Sequence, residues 1–282
     1  MILQCIFVSD LHGNKKSYNS LFKIIEKEKP EGVFLGGDLL PGGFGINIDI
    51  ENFLYEVYLS KVLKLRKSGY KTRFFTILGN DDPRIYENIL IDAEKDNLIE
   101  YVHNHTVSFG YFFVTGYSYV PPTPFRLKDW EKHDVSQFVD INAIPLNEGF
   151  RTIHVNDDEI RYGTIAKDLE KLSKNAPLEK TIFLFHSPPY NSNLDRADLD
   201  GKIIDHAPVD VHVGSIAIRR FIEKKQPLIT LHGHVHESTR LTGSWRDRIG
   251  KTFSFNAAHD GLELSIIKFN TDNLENASRV LI

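Results

Sequence analysis

Cysteine is almost absent from this chain, since Cys5 is the single one in 282 residues. Disulfides within the chain are therefore excluded, which favours a reducing compartment. Long hydrophobic runs are also lacking, because no apolar stretch is long enough to cross a bilayer. The apolar N-terminus has no basic region of the kind that opens a signal peptide. We therefore expect a soluble, cytoplasmic protein with no membrane partner.

A strong excess of either charge is lacking as well. The formal net charge is −4, and 41% of the residues are hydrophobic, as in an ordinary globular protein. Broad binding of nucleic acid usually needs a basic field, so it is disfavoured, although a local basic patch remains open. The length suits one large domain or two small ones. Because no repeat or clear linker divides the chain, we expect a single domain over residues 1–282.

Apolar runs alternate with amphipathic stretches in the first hundred residues, which predicts βαβ units in a parallel sheet. Later, strand-like runs follow one another more closely. We predict strands at 2–8, 32–35, 74–78, 107–120, 181–185, 228–231, 253–256 and 262–269, and helices after Asn14 or Ser17, at 54–62, after Pro83, at 160–172 and, capped by Ser215, at 215–224. The expected fold class is α/β, with two stacked mixed β-sheets flanked by helices.

Two stretches fit neither periodicity. Residues 121–151 are largely polar with scattered prolines, and residues 190–213 are rich in Asn and Asp. Long loops in a compact domain are usually functional or mobile. We therefore expect specificity insertions near 121–151 and 190–213.

Five apolar runs lead into Asp, Asn or His. They end at Asp10-Leu11-His12, Gly37-Asp38, Gly79-Asn80-Asp81-Asp82, His186 and His234-Val235-His236. Side chains two apart on an extended segment project to the same side, and sites in open α/β sheets form beyond the carboxyl ends of the strands. Seven nitrogen and oxygen donors should therefore meet at one edge, which suits two divalent metal ions if a carboxylate bridges them.

In this order, the motifs D-x-H, G-D, G-N-[H/D]-D, H and G-H-x-H resemble those of the calcineurin-like metallophosphoesterase superfamily. They are most similar to the Icc-related group of small prokaryotic phosphoesterases, which has counterparts of His186-Ser187-Pro188-Pro189 and His234-Val235-His236-Glu237. By this resemblance, one metal ion would be held by Asp10, His12 and His236. The other would be held by Asn80, His186 and His234, and Asp38 would bridge the two.

The resemblance also implies a β-sandwich fold and a reaction. A hydroxide bridging two metal ions about 3.5–4 Å apart attacks the phosphorus of a phosphate ester in line. Mn, Fe, Zn and Co are all compatible, because mixed nitrogen and oxygen sites select weakly among them. The expected partner is a small phosphate ester, a phosphodiester more than a monoester.

One position departs from the commonest pattern of the superfamily. Asp81 stands where many members carry a histidine that helps to protonate the leaving oxygen. Beside two cations a carboxylate should stay ionised and would be a poor general acid. The hypothesis is that this protein prefers leaving groups that need little protonation, or that His206, His212 or His259 takes over the role.

The sequence leaves the roles of three further features undecided. Asp82 is either a helix N-cap or a support for Asp81 or Asn80. His212 is a candidate substrate contact, although a plain helix start nearby is the simpler interpretation. The glycine-rich residues 41–45 could admit a substrate close to the backbone, and they do not match a P-loop.

Two rival functions use the same fold. A DNA or RNA nuclease of the superfamily is disfavoured by the short, mildly acidic chain. A non-catalytic protein-interaction scaffold would not require all seven donors to be present.

Overall fold

The computed structural model describes residues 3–42, 49–174 and 177–282. Its strands are β1 (Gln4–Val8), β2 (Gly32–Gly36), β3 (Arg73–Ile77), β4 (Glu100–Tyr101), β5 (Thr106–Phe109), β6 (Phe112–Tyr117), β7 (Thr181–Phe185), β8 (Ile203–Ile204), β9 (Ala207–Pro208), β10 (Ile229–His232), β11 (Arg246–Ile249), β12 (Thr252–Asn256), β13 (Ser265–Asn270) and β14 (Asn273–Leu281). The α-helices are α1 (Lys15–Glu28), α2 (Ile50–Phe53), α3 (Ser60–Lys67), α4 (Glu87–Lys95), α5 (Asp157–Tyr162), α6 (Ile165–Leu172), α7 (Ile216–Lys225) and α8 (Ser238–Thr242). A π-helical stretch, Leu54–Leu59, joins α2 to α3, and 3₁₀ turns cover Arg84–Tyr86 and Leu178–Lys180.

Two six-stranded mixed sheets organise the described residues, in the orders β14-β13-β1-β2-β3-β4 and β11-β12-β10-β7-β6-β5. In the first, β1 to β4 are parallel, and β13 and β14 add antiparallel neighbours. In the second, β12, β10, β7 and β6 are parallel between antiparallel edge strands. The predicted fold class is confirmed. Because these strands are parallel, the carboxyl ends of β1, β2 and β3 lie at one edge of the first sheet. The carboxyl ends of β7 and β10 likewise lie at one edge of the second sheet.

The side-chain alternation of β1 explains why the sheets stack. Cys5 and Phe7 belong to an apolar cluster shared with β7 and β10, whereas Ile6 and Val8 belong to a cluster shared with the helices. Successive side chains of a strand point to opposite faces, so a continuously apolar strand is buried on both. Fully burying such a side chain contributes about 1.5–3 kcal/mol.

The helix ends follow the predicted capping chemistry. Asn14 caps α1, because its side-chain oxygen accepts hydrogen bonds from the backbone N–H groups of Lys16 and Ser17. Ser215 caps α7, and its hydroxyl accepts from the N–H of Ile218 at 3.0 Å. Of the two proposed caps of α1, the structure therefore selects Asn14.

Some element predictions were wrong. The predicted helix at 160–172 is two helices, because the chain is extended at Gly163 and Thr164 and the Thr164 hydroxyl caps α6 afresh. The edge strands β11 and β14 were missed. Both are rich in charged or polar residues and are largely exposed, so they carry no buried-strand pattern.

The segment 121–151 contains no helix or strand, but a buried ion pair fastens it. Lys128 Nζ donates hydrogen bonds to Glu131 Oε2 at 2.6 Å and to the Thr123 carbonyl oxygen at 2.9 Å. Both charged side chains are fully buried. Burial raises the pKa of Glu131 to about 7, although Lys128 opposes this, and burial lowers the pKa of Lys128.

Among the described residues, no helix combines the length and apolar character needed to span a membrane.

Candidate metal centre

Four of the seven predicted donor residues have a left-handed backbone. The φ angles are 56° at Asp10, 41° at His12, 52° at Asp38 and 73° at His234. Non-glycine residues adopt this region at a cost of order 1–3 kcal/mol each, and such strain clusters at functional sites. Hydrogen bonds fix two of these turns, because the N–H groups of Asp10 and His12 donate to the carbonyl oxygens of Gly37 and Asp38.

Asp10, His12 and His236 form one group of donors at the ends of β1 and β10. His236 Nε2 lies 3.2 Å from Asp10 Oδ1 and 3.3 Å from His12 Nε2. Burial would lower the pKa of His236, but the hydrogen bond and charge of Asp10 raise it to about 9. Two imidazole nitrogens this close point toward a shared position, and together with a carboxylate they make a donor set that fits a divalent cation.

A second group contains Asp38, His186 and His234, with Asn80 beside it. His186 Nε2 lies 3.0 Å from Asn80 Oδ1 and 3.3 Å from Asp38 Oδ2. The other ring nitrogen, His186 Nδ1, lies 2.7 Å from the carbonyl oxygen of Gly36, and donation to that oxygen leaves Nε2 to face the cluster. This group also fits a cation.

The two histidines of the second group have pKa values shifted in opposite directions. Burial would lower the pKa of His186, but the Asp38 carboxylate raises it to about 10. Burial lowers the pKa of His234 to about 3, and the nearby His186 acts in the same direction. Burial would raise the pKa of Asp10 and of Asp38, but neighbouring histidines lower both. Carboxylates and histidines are therefore paired across a buried site, where a metal would compete with protons.

Asp38 lies between the two groups. Its Oδ2 is 3.3 Å from His186 Nε2 and 3.9 Å from His12 Nε2, and its Oδ1 accepts a hydrogen bond from the Asp81 N–H at 2.9 Å. The carboxylate is almost fully buried. A carboxylate facing both groups has the position that a bridging ligand needs.

The Asp81 carboxylate also belongs to the cluster. Its Oδ2 is 3.8 Å from His12 Nδ1, and together with His12 and Asp38 it forms a third possible donor group. Burial and the charge of Asp38 raise the pKa of Asp81. The sequence treated this position only as a missing histidine, whereas the geometry offers an additional metal donor.

Asp82 organises the loops instead of facing the cluster. Its buried carboxylate accepts hydrogen bonds from the backbone N–H groups of Gly79, Leu39 and Leu40 at 2.8–2.9 Å. None of these groups opens a helix, so the N-cap interpretation of Asp82 is wrong. The contacts tie the turn after β2 to the turn after β3, which carry Asp38 and Asn80.

His212 belongs to none of the three donor groups, but it lines a cavity that His234 also lines. Its Nδ1 is 2.9 Å from Oδ1 of Asp195, which is fully buried and also accepts hydrogen bonds from the N–H groups of Asn191, Ser192 and Gly214. Asp195 was not among the predicted site residues. Its sequence signal is weak, since Asp195 is one of several aspartates in a long polar loop.

Three further histidines lie outside the donor groups. His232 is buried and contacts the Ser187 carbonyl oxygen and the Thr230 hydroxyl, which agrees with a packed role. His259 faces Glu263, and His206 lies in the turn between β8 and β9. Of the glycine-rich stretch 41–45, residues 43–45 lie outside the described residues.

A cavity of about 600 Å³ opens beside His234, between the loops 121–151 and 190–213. Its wall includes Pro121, Phe125, Phe138 and His212. The size is within the range of small-molecule sites in proteins. Both loops that the sequence singled out therefore border the candidate metal centre.

The family model of the calcineurin-like phosphoesterases matches residues 3–238, so the chain belongs to that family. An uncharacterized protein of Methanocaldococcus jannaschii is 34% identical over 125 residues, which cover 43% of this chain and 50% of the relative. The match thus spans about half the length of that relative.

Two solved structures resemble the fold. A Thermus thermophilus protein has a TM-score of 0.57 at 15% identity, and the match covers 100% of this chain and 99% of that one. A Danio rerio dimetal phosphatase has a TM-score of 0.55 at 12% identity, and the match covers 95% of both chains. At such low identity these likenesses concern the fold alone.

Proposed function

We propose that this protein is a metal-dependent phosphoesterase that holds two divalent ions and hydrolyses phosphodiesters in preference to monoesters. Membership of the phosphoesterase family supports a hydrolase acting on phosphoric esters. The observation that carries the proposal is the convergence of seven donors from five strand ends, with His12 Nε2 and His236 Nε2 only 3.3 Å apart. The phosphate ester itself would be the protein's main partner.

In this proposal Asp10, His12 and His236 would hold one ion. Asn80, His186 and His234 would hold the other, and Asp38 would be shared by both. When bound, the two ions would act as Lewis acids on the phosphate and would activate a water for attack. The ions would be Mn, Fe, Zn or Co, because a mixed set of nitrogen and oxygen donors discriminates weakly among these metals.

The residues around the ions have different tasks. Asp82 keeps the turns bearing Asp38 and Asn80 in register through its three backbone hydrogen bonds. His212, oriented by Asp195, would hold a proton at Nε2 and deliver it to the leaving oxygen. Asp81 would repel an incoming anion. A monoester dianion is repelled more strongly than a diester monoanion, which supports the preference for diesters.

Other properties belong to the same proposal. All described residues would form one domain, with 121–151 and 190–213 as the segments that determine specificity. The buried free thiol of Cys5 supports a reducing compartment such as the cytoplasm. A nuclease function receives no support from the acidic net charge of −4.

The test is hydrolysis of bis-p-nitrophenyl phosphate by metal-stripped protein, with and without Mn²⁺. We expect activity only with metal, and a loss of about 10²-fold or more in Asp38→Asn. The control is Asp92→Asn, which removes an exposed carboxylate on α4 paired with Lys95 and should leave the activity unchanged. No hydrolysis with Mn, Fe, Zn or Co would contradict the proposal and favour a non-catalytic scaffold.

A further inference from the structure

The cavity of about 600 Å³ shares His234 with the candidate metal centre. The rings of His234 and His186 lie 5.2 Å apart, centroid to centroid. An ester whose phosphate lies at the donor groups therefore has this cavity next to it. The organic group of the ester can occupy the cavity without any movement of the sheets.

The cavity wall is mainly apolar. Pro121, Pro122, Pro124 and further aliphatic side chains contribute to it. The side chains of Phe125 and Phe138 are 53% and 76% exposed, so two large aromatic groups remain open to solvent beside the site. Exposed apolar surface next to a polar centre is typical of ligand-binding sites.

The lining of the cavity carries several acidic side chains. Among the described residues, its lining includes the carboxylates of Asp134, Asp140, Asp210 and Glu237, but no lysine or arginine. Asp134 is offset by the N-terminus of α7, whose first amides donate to it. The ammonium group of Lys202 approaches from outside, where it donates to Asn142 Oδ1 at 3.0 Å.

Asp140, Asp210 and Glu237 are the remaining acidic residues of the lining, and none of the described lining residues is a lysine or arginine. Each of them accepts a hydrogen bond from a backbone N–H group or a hydroxyl, which fixes the position of the carboxylate. An anionic group entering the cavity would lose hydration and meet these charges. A neutral or cationic ring would meet apolar surface and attractive charge.

From this arrangement we infer that the cavity selects the substrate: the organic group of the phosphate ester is apolar and carries no negative charge. The inference rests on the proposed function and narrows its substrate class. It disfavours nucleoside polyphosphates and nucleic acid, whose groups beyond the reacting phosphate are anionic.

The experiment compares three diesters that share the p-nitrophenolate leaving group and differ in the second group: benzyl, 4-carboxybenzyl and choline. We expect kcat/KM of the Mn²⁺-loaded protein to be about tenfold lower or more for the carboxybenzyl ester than for the other two. Equal values, or a preference for the anionic ester, would overturn the inference while leaving the proposed function intact. If none of the three diesters is hydrolysed, the proposed function is overturned and the inference with it.

A matched pair of variants tests the cavity charge. Asp140→Lys should reduce the discrimination against the carboxybenzyl ester several-fold. Asp272→Lys makes the same change at an exposed residue in the turn between β13 and β14, outside the cavity lining, and should leave the ratio as in the unmodified protein. An identical ratio in all three proteins would show that the cavity charge does not select the substrate.

A binding readout needs no turnover. Saturation-transfer NMR of the metal-free protein with benzyltrimethylammonium should give a signal that Asp140→Lys weakens and Asp272→Lys preserves. Absence of that difference would contradict the assignment of the cavity to an apolar group without negative charge.

Discussion

Asp81 shows how one residue can change the chemistry of an otherwise complete donor set. Its carboxylate lies 3.8 Å from His12 and receives no hydrogen bond from a cationic side chain among the described residues. Next to bound cations it would be ionised, so it can donate charge but not a proton. The site would then depend on good leaving groups or on a proton donor elsewhere.

We predict that Asp81→His raises hydrolysis of diesters with poor leaving groups, such as phenolate, by about tenfold or more. The reason is that an imidazolium can protonate the leaving oxygen, whereas the carboxylate repels it. The measurement is kcat/KM across a series of phenolate leaving groups at fixed metal concentration. Asp81→Asn is the control, because it removes the negative charge without adding a group that can act as a general acid. Unchanged rates on poor leaving groups would disprove the hypothesis.

His212 is the candidate for the missing proton donor, since it lines the cavity and Asp195 fixes its ring orientation. For His212→Gln we expect kcat/KM to fall about 10²-fold with phenolate as leaving group, but less than about threefold with p-nitrophenolate. The dependence of rate on leaving-group pKa should therefore become steeper. A uniform fall across the series would instead indicate a structural role. Asp195→Asn should shift the dependence in the same direction, because it removes the charge that orients the ring.

At the scale of elements, the candidate metal centre is made by parallel strands and by the irregular segments that follow them. The segments after β1, β2 and β3 carry Asp10, His12, Asp38 and Asn80 from one sheet. The segments after β7 and β10 carry His186, His234 and His236 from the other. The loop 121–151 borders the cavity and contains no helix or strand. Backbone hydrogen bonds such as the one from the Lys128 N–H to the Phe150 carbonyl oxygen hold it, together with the buried ion pair between Lys128 and Glu131.

This ion pair predicts a pH dependence of stability. Glu131 has a folded-state pKa of about 7, raised by burial above its ordinary value of 4.5. Its contribution to stability is therefore complete below pH ~4.5 and is lost as the pH rises through about 7. Because a glutamine side chain does not titrate, we expect the free energy of unfolding of Glu131→Gln to rise relative to that of the unmodified protein, by about 1–3 kcal/mol from pH 5 to pH 8.

Urea titrations at several pH values measure this difference. Glu148→Gln is the matched control, because it makes the same substitution at an exposed residue of the same loop. A parallel response of the two variants would contradict the assignment.

At the scale of the whole molecule, the donors come from five segments that extend from Asp10 to His236. They are close together only when both sheets are formed and stacked. The unfolded chain has no preformed site, so metal binding should be linked to global folding.

We therefore expect Mn²⁺ to raise the Tm of metal-stripped protein. At a free concentration a hundredfold above Kd the stabilisation is about 2.7 kcal/mol, or several degrees. Calorimetry with Asp38→Asn should show a much smaller shift, and Asp92→Asn should behave like the unmodified protein. An equal shift in Asp38→Asn would mean that the stabilising metal binds elsewhere.

The amino-acid sequence by itself determined the fold class and most of the central strands. Buried strands carry continuous apolar runs, and helix caps such as Asn14 and Ser215 are local chemistry that a short stretch of sequence encodes. It also predicted seven donors, because they follow strands and the five motifs occur in the order typical of the family, and the structure brings these residues together. The edge strands β11 and β14 escaped because their exposed residues carry no periodic apolar signal.

Tertiary structure alone decided how these residues face one another. The distance between His12 and His236, the contact of Asp81 with the donor cluster and the partnership of Asp195 with His212 depend on turns with left-handed backbone and on the stacking of two sheets. The charge and apolar character of the cavity likewise arise where two loops, distant in sequence, meet. Such features depend on long-range packing, and local sequence patterns hold no information about which distant side chains will become neighbours.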